Sequence, residues 1–206
     1  MKKIDIANWE RREIYENFSQ LNYPFYALTM PVDVTNLREA AHEAGVSFYY
    51  SMVWACTYAL NSLPEFRLRM ADGELVEIDQ ASPSFTVLGK GESVFRIITM
   101  PWIPDRIEFC LEAARSASRQ KEFLVTESET SELIYMSCLR WFDITALTNE
   151  KNIDPDDMIP RVTWGKYYDK DGGTELHLSI EVNHRVIDGY HIGQFKQKLD
   201  EIIAAQ

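Results

Sequence analysis

A histidine, an aspartate and a glycine stand where a strand pattern becomes a helix pattern, in SIEVNHRVIDGYHIGQF at residues 179–195. His184 closes the strand, and Asp188 and Gly189 follow it just before the helix. A general base needs a histidine that substrate can reach, with a pKa near neutrality and a fixed tautomer. A strand end held by a nearby acidic partner offers that arrangement. His184 is therefore a candidate base, and Asp188 a candidate support for its loop.

The same residues also have a purely structural interpretation. Aspartate is a favoured N-cap residue, and Asp-Gly commonly forms a turn. Asp188 would then only cap the helix, and His184 would be a half-buried residue at a strand end. The local pattern alone favours this interpretation over the catalytic one.

The strand that must position His184 has a clear period of two, which is typical of a sheet with two different faces. Its two faces are predicted to carry Leu176, Leu178, Ile180 and Val182 on one side and His177, Ser179, Glu181 and Asn183 on the other. The helix that follows, from about residue 190, has Ile192, Phe195, Leu199 and Ile203 in helical register.

The remaining patterns predict further helices and strands. Asn36 and Glu39 fit a capping box that opens a helix ended by Gly45, and a second helix is predicted over about 47–62. Another is predicted over 104–124, with one apolar face formed by Ile107, Cys110, Leu111 and Ala114. Strands are predicted on both sides of a tight turn at Asp72-Gly73 and in SFTVL, VFRIITM, ELIYMSCLRW, RVTWGKYYD and ELHLSIEVNHRV. Because strands and helices mix without strict βαβ alternation, we expect an α/β fold with a mixed sheet covered by helices.

Length and composition exclude several classes of protein. The 206 residues suit a single domain over 1–206 with a sizeable core. The net charge of -11 and the absence of a basic stretch argue against binding nucleic acid. No apolar run approaches the roughly 20 residues needed to span a bilayer, and the first 18 residues lack the apolar segment of a signal peptide. We therefore expect a cytoplasmic protein without a membrane partner.

The three cysteines, Cys56, Cys110 and Cys138, are widely spaced and form no CxxC pair. Each lies in an apolar stretch, so we expect buried free thiols in a reducing compartment. No nearby charge marks any of them as a nucleophile.

The segment HRVIDG at residues 184–189 resembles the HxxxDG signature of the chloramphenicol acetyltransferase family. The hexapeptide alone also occurs in other CoA-dependent acyltransferases. Further segments of the chain are similar to that family in the expected order: NWERREIYENF (8–18), LPEFRLRMADGELVEID (63–79), FTVL (85–88), MSCLRW (136–141) and TWGKYY (163–168). The likeness extends from about residue 4 to residue 203.

The resemblance implies the CoA-dependent acyltransferase fold and an enzyme that moves acetyl from acetyl-CoA to a hydroxyl, without a metal or a covalent acyl-enzyme. It assigns His184 as general base, Ser137 as donor to the tetrahedral intermediate, and Thr163 as a helper through a water. It pairs Asp188 with Arg11 to hold the histidine loop. The family also forms trimers with active sites between subunits, so we expect a homotrimer.

The resemblance further implies residues for both substrates. Lys166 and Tyr167 match positions that contact the nucleotide end of CoA. Phe18 and Tyr26 keep aromatic character at two acceptor-pocket positions, and Tyr135 stands two residues before Ser137 in the same region.

Several positions depart from the family pattern. Asn183 stands where a second histidine is common, Glu181 where a glutamine occurs, and Ser47 where a lysine often helps to bind the cofactor. Pro24 and Phe25 also differ from the residues common at the drug-contacting segment. The acceptor is therefore chloramphenicol, a related small alcohol, or a different acceptor altogether, and drug resistance does not follow from the sequence. Two alternatives are weaker. A lipoyl-type acyltransferase subunit would normally bring lipoyl and binding domains, which the 206 residues do not include. A catalytically silent ligand-binding homologue would not need the full set of catalytic and supporting residues, all of which are present: His184, Ser137, Thr163, Arg11 and Asp188.

Overall fold

Two β-sheets and five α-helices build the fold, which a computed structural model describes over residues 1–206. The helices are α1 (Arg12–Phe18), α2 (Thr35–Glu43), α3 (Phe48–Asn61), α4 (Arg106–Arg119) and α5 (Gly189–Ala204). The strands are β1 (Lys2–Lys3), β2 (Phe25–Asp33), β3 (Leu68–Ala71), β4 (Glu74–Glu77), β5 (Ser82–Val87), β6 (Arg96–Thr99), β7 (Leu133–Leu139), β8 (Arg161–Gly165), β9 (Tyr168–Lys170) and β10 (Gly173–Asn183). None of the helices combines the length and the apolar composition that crossing a membrane requires.

The larger sheet is mixed, as the sequence predicts. Its strands run in the order β2-β10-β8-β7-β5-β6, with β9 paired to β10 beside them. The β5–β7 and β7–β8 pairs are parallel, and the other pairs are antiparallel. A smaller antiparallel sheet, β1-β4-β3, includes the predicted hairpin. Its turn residues Asp72 and Gly73 have φ of 51° and 78°, the left-handed pair that a two-residue hairpin turn requires.

One face of the large sheet belongs to the hydrophobic core. The predicted apolar face of β10 is fully buried, and its neighbours across the strands, Val162, Met136 and Phe85, are buried with it. Helix α3 is apolar almost all round because it lies inside this core. The predicted apolar face of α5 is buried in the same cluster.

The other face of the large sheet carries a row of hydroxyl groups. Paired residues place their side chains on the same face, and the register aligns five hydroxyl residues across adjacent strands: Thr29, Ser179, Thr163, Ser137 and Thr86. The candidate residues Ser137 and Thr163 therefore lie side by side, opposite the core.

Three local predictions were wrong. Helix α2 begins at Thr35, and Asp33 accepts hydrogen bonds from its backbone N–H and its hydroxyl, so Asn36 is inside the helix rather than a cap. Helix α4 ends at Arg119 and buries Phe109, Cys110, Ala113 and Ala117, whereas Leu111 is 46% exposed. Cys138 is only partly buried, while Cys56 and Cys110 are buried as predicted.

A buried arginine joins the small sheet to the start of β7, the strand that carries Ser137. Arg69, in β3, is 1% exposed and forms no salt bridge. Its guanidinium instead donates to the backbone carbonyls of Ser131, Leu133, Phe66, Leu68 and Met158, at 2.6 to 3.3 Å. Burial lowers the pKa of Arg69 to about 10, which leaves it charged at neutral pH. The fork geometry of arginine suits this arrangement, since no other side chain offers five donors.

We predict that Arg69→Met lowers the free energy of unfolding by about 3 kcal/mol or more, because several buried carbonyls would lose their donor. Arg69→Lys is the matched control. It keeps the charge but reaches fewer carbonyls, so it should recover only part of the loss. Urea unfolding followed by circular dichroism would measure both, and a loss below about 1 kcal/mol for the methionine variant would contradict this role.

Candidate active site

The ring of His184 is oriented by the backbone that follows it. His184 is the first residue after β10, and its Nδ1 lies 3.0 Å from the carbonyl oxygen of Ile187. Because a carbonyl can only accept, Nδ1 must carry the proton, and Nε2 is left with a free lone pair. The backbone N–H of His184 donates to the carbonyl of Pro24 at 2.7 Å, which fixes the strand end itself. The residue thus has the tautomer that a base acting through Nε2 needs.

Two aromatic rings hold the imidazole plane. Phe18 stacks on His184 with ring centroids 4.0 Å apart and planes 20° apart. Tyr26, from β2, lies at 4.5 Å with a 42° tilt. Burial raises the pKa of Tyr26 to about 12, so its hydroxyl is neutral beside the histidine. The two aromatic positions singled out from the sequence therefore lie against the histidine.

Asp188 both pairs with Arg11 and caps helix α5, the two roles that the sequence left open. Its Oδ2 accepts from Arg11 Nη1 at 2.7 Å. Its Oδ1 accepts from the backbone N–H of Tyr190, and its own N–H donates to Nδ1 of His191, which completes a capping box at the start of α5. Partial burial opposes ionisation of Asp188, but the hydrogen bond and the charge of Arg11 hold its pKa below the ordinary value. One carboxylate thus anchors both the helix and the turn that carries His184.

A second polar cluster lies on the hydroxyl face of the sheet. Ser137 Oγ is 3.0 Å from Thr86 Oγ1, and Thr163 Oγ1 donates to Asn149 Oδ1 at 3.4 Å. Both candidate hydroxyls line a cavity of about 860 Å³ that also includes Tyr135 and extends to Ser47, the N-cap of α3. Its volume falls within the range of small-molecule sites.

Strand register places the two clusters far apart within one chain. Ser179 pairs with Thr163, and Thr163 pairs with Ser137, while His184 lies five residues beyond Ser179. Five residues along a strand and two strand spacings together amount to roughly 19 Å. His184, Phe18 and Tyr26 are accordingly absent from the lining of the cavity. The structure therefore brings the candidate residues together as two groups rather than one.

The side of the cavity at Tyr135 is polar. Its hydroxyl donates to Glu129 Oε2 at 2.8 Å, and the guanidinium of Arg161 lies 5.3 Å from its ring centroid. Burial, followed by the bond to Glu129, raises the pKa of Tyr135 to about 12. Cys138, next to Ser137, also lines the cavity, and burial raises its pKa to about 11. Its thiol is therefore protonated and a poor nucleophile.

Lys166 and Tyr167 lie on the outer surface, beyond the end of β8. Both side chains are exposed. The ring of Tyr167 packs edge-on against Phe48, with centroids 5.7 Å apart, and lies 4.9 Å from the guanidinium of Arg38. The guanidinium of Arg38 therefore lies beside an accessible aromatic ring, and a second cationic residue, Lys166, precedes that ring in the sequence of a chain of net charge -11.

Sequence reasoning missed three residues of these groups: Thr86, Asn149 and Arg38. Thr86 is the hydroxyl neighbour of Ser137, and the strand pattern of FTVL could have shown that it shares a face with it. Nothing in the sequence indicates Asn149, which lies in a loop, or Arg38, which approaches Tyr167 from a distant helix.

Comparison with known proteins agrees with this fold. The sequence model of the chloramphenicol acetyltransferase family matches residues 1–200. The chain is 30% identical to chloramphenicol acetyltransferase 2 of Escherichia coli over 196 residues, which cover 94% of this chain and 92% of that protein. The structure of a chloramphenicol acetyltransferase superposes with a TM-score of 0.90 at 25% identity, covering 98% and 99% of the two chains. A dihydrolipoamide acetyltransferase of Azotobacter vinelandii shares the fold, with a TM-score of 0.69 at 22% identity over 93% and 86% of the chains.

The fold is that of the CoA-dependent acyltransferases. Strand β10 of its mixed sheet is followed by His184, whose ring is held in place by neighbouring residues. The chain belongs to the chloramphenicol acetyltransferase family and is an acyltransferase.

The double role of Asp188 leads to a test by substitution. Asn caps a helix as well as Asp does, so Asp188→Asn removes only the ion pair. Because Arg11 is 13% exposed and Asp188 26%, we expect the free energy of unfolding to fall by about 2–3 kcal/mol, somewhat less than the ~3–5 kcal/mol for breaking a fully buried pair. Acyl transfer should fall as well, since the turn that carries His184 loses its anchor.

Arg11→Met supplies the matched half of a double-mutant cycle. The double variant should cost clearly less than the sum of the two single variants, as measured by urea unfolding and by kcat. Strictly additive losses would show that the two residues act independently.

Proposed function

We propose that this chain is a cytoplasmic, acetyl-CoA-dependent O-acetyltransferase that acetylates a hydroxyl of chloramphenicol or of another small aromatic alcohol. The orientation of His184 carries this proposal. A carbonyl holds its Nδ1 proton, two aromatic rings fix its plane, and Nε2 is left free to take a proton. The relatives named above, which are chloramphenicol acetyltransferases, support the same chemistry.

In the proposed reaction, Nε2 of His184 removes the hydroxyl proton of the acceptor as its oxygen attacks the thioester carbonyl of acetyl-CoA. An alcohol is hardly ionised at neutral pH, so general-base help of this kind contributes about 10²–10⁴-fold. The tetrahedral intermediate then collapses, the carbon–sulfur bond breaks, and the protonated histidine returns the proton to the CoA thiolate. No covalent bond to the enzyme forms, which agrees with the protonated state of the nearby thiol of Cys138.

Ser137 is the proposed donor to the negative oxygen of that intermediate. Thr86 is its hydroxyl neighbour at 3.0 Å. When Thr86 donates to Ser137, the proton of Ser137 is free to point into the cavity. One such donor contributes about 3 kcal/mol to transition-state stabilisation. Thr163, in the adjacent strand, would assist through a water molecule.

The proposed site needs two copies of the chain, because His184 and Ser137 of one copy lie roughly 19 Å apart. We propose a homotrimer in which His184 of one subunit faces Ser137 of the next. Strand β2 forms an edge of the large sheet and exposes Leu28, and the loop after β7 exposes Trp141 and Phe142 by more than half. Such an edge and such aromatic groups are commonly covered by a partner.

The acetyl donor fits the surface at Tyr167. An exposed aromatic ring offers a stacking surface for adenine, and Arg38 and Lys166 supply positive charge for phosphate groups. The cavity leads from Ser47, at the start of the neighbouring helix α3, to Ser137. Ser47 caps helix α3, since its hydroxyl accepts a hydrogen bond from the backbone N–H of Tyr50. We therefore assign nucleotide binding to Arg38, Lys166 and Tyr167.

The polar side of the cavity favours, as a second candidate, an acceptor other than chloramphenicol. Tyr135 and Glu129 form a charge-assisted hydrogen bond there, and Asn149 adds an amide. An acceptor with additional hydrogen-bonding groups would match these residues better than a purely apolar one.

A thiol-release assay with acetyl-CoA and a panel of alcohols tests the proposed function directly. We expect CoA release that depends on the alcohol, and loss of turnover in His184→Ala with the fold retained in circular dichroism, because the substitution removes a base and not a core residue. Turnover with acetyl-CoA that is unaffected by His184→Ala would sink the proposed base. Absence of turnover with every alcohol would contradict the O-acetyltransferase and leave the silent ligand-binding and lipoyl-type alternatives.

Mixed oligomers test whether the site lies between subunits. We expect His184→Ala to be inactive and Ser137→Ala to lose about 10²–10³-fold in kcat. When the two variants are co-expressed in equal amounts, random assembly pairs an intact His184 with an intact Ser137 at about one quarter of the interfaces of a cyclic oligomer. Activity should therefore recover to about a quarter of wild type, and the failure of any recovery would place the complete site within one chain.

A further inference from the structure

A chain of polar contacts runs from Thr163 into a loop that covers the hydroxyl face of the sheet. Thr163 Oγ1 donates to Asn149 Oδ1 at 3.4 Å. The backbone N–H of Asn149 and its Nδ2 both donate to Glu181 Oε2, at 2.9 and 3.2 Å. Glu181 lies in β10, two residues from Ser179, the pairing partner of Thr163. The loop residue Asn149 is therefore held between two strands of the sheet.

The carboxylate of Glu181 decides which way the amide of Asn149 faces. An ionised carboxylate can only accept, so the NH₂ group of Asn149 must point to Glu181 and its oxygen to Thr163. The amide oxygen in turn can only accept, so the hydroxyl proton of Thr163 is committed to Asn149. Thr163 thus presents lone pairs, and not a proton, toward the cavity. The 3.4 Å separation is long for a hydroxyl, and such contacts often shorten once substrate is bound.

Lys151 keeps Glu181 ionised in this buried place. The side chains of Lys151 and Glu181 are 4% and 2% exposed and form an ion pair. Burial opposes the charge on Glu181, but hydrogen bonds from Lys151 and Asn149 hold its pKa below the ordinary value. The ammonium group also lies 3.3 Å from the ring centroid of Phe25. Glu181 is therefore a fixed hydrogen-bond acceptor next to the proposed site. Because Lys151 neutralises it, the pair adds no net charge beside the proposed oxyanion.

We propose that Asn149 and Glu181 are positioning residues that set the direction of the Thr163 hydroxyl. With its own proton committed, Thr163 accepts a hydrogen bond from a water, and the other proton of that water is aimed at the negative oxygen of the intermediate. This role rests on the proposed acyl transfer. If this role is correct, turnover depends on the orientation of the Asn149 amide and not on the charge of Glu181.

The first test compares Asn149→Leu in two backgrounds. Leucine has a similar volume but cannot accept from Thr163. We expect kcat to fall about tenfold or more, though by less than the ~10²–10³-fold cost of removing an oxyanion donor. The KM for acetyl-CoA should not change. In a Thr163→Val background the same substitution should cause no further loss of kcat, since there is no hydroxyl left to orient.

Asp156→Asn is the matched control for this test. Asp156 lies in the same loop and pairs with Arg185, and its side chain forms no hydrogen bond with Thr163, Asn149 or Glu181. It should keep the wild-type kcat. An equal loss from Asn149→Leu in both backgrounds would show that Asn149 only holds the loop, and no loss in either would show that it does not act on Thr163; both results overturn the proposal.

The second test separates the acceptor at position 181 from its charge. Glu181→Gln with Lys151→Met removes both charges and keeps a carbonyl oxygen that accepts from Asn149, so kcat should stay within about threefold of wild type, a difference below 1 kcal/mol. Glu181→Leu with Lys151→Met removes the same charges and the acceptor, and it should lose kcat as Asn149→Leu does. Equal kcat for the two double variants would overturn the proposal.

The outcomes also distinguish failure of this inference from failure of the proposed function. If Thr163→Val has wild-type kcat while His184→Ala is inactive, the acyl transfer stands and the inference falls. If His184→Ala is fully active, the proposed function itself fails, whatever the variants of Asn149 and Glu181 show.

Discussion

The pairing register of β10 with β8 sets the position of His184 relative to Thr163, and the site depends on both residues. Residues of a strand alternate between faces, so a shift of one residue would exchange the core face of β10 for its polar face. The apolar alternation of Leu176, Leu178 and Ile180 therefore locks the register, because any slip would bury Ser179 and Glu181 in the core. With this register fixed, Ser179 is aligned with Thr163, and His184 emerges at the far end of the strand; the separate pairing of β7 with β8 then aligns Thr163 with Ser137. The core thus sets the geometry of polar groups that lie on the opposite face of the sheet.

The parts of the fold that the sequence predicts are those with a strong local period. The pattern of apolar and polar residues, or of turn residues, fits only one type of secondary structure in strand β10, in helices α3 and α5 and in the Asp72-Gly73 hairpin. Helix α4 shows the limit of such reasoning. Positions 107, 110, 111 and 114 have helical spacing, but so do 109, 110, 113 and 117, and only contact with α3 and β6 decides that Phe109 is buried and Leu111 exposed. Edge strand β2 was not predicted because its mixture of buried and exposed residues follows no simple period.

The candidate site divides in the same way. His184, Asp188 and Gly189 are recognisable because they are close in sequence, and the resemblance to a family supplies Ser137 and Thr163. The side chains that support these residues come from distant segments. Arg38 reaches Tyr167 from another helix, and Asn149 and Lys151 reach Glu181 across a loop that the sequence shows only as polar. Contacts between such distant segments produce no recognisable spacing of residues in the sequence, so they could not be predicted from it.

Glu181 illustrates how a departure from a family pattern acquires a physical meaning. A buried ion pair is weak evidence for stability, because desolvation of both charges offsets most of their attraction. The pair formed by Lys151 and Glu181 is therefore poorly explained as a stabilising device. It is better explained by its geometry: Oε2 of Glu181 accepts from both the backbone N–H and the Nδ2 of Asn149, so the amide of Asn149 has only one orientation. A glutamine whose oxygen accepts from the same backbone N–H would orient that amide in the same way, so the acceptor at position 181 matters more than its charge. Lys151 balances the charge that the carboxylate brings into this buried place.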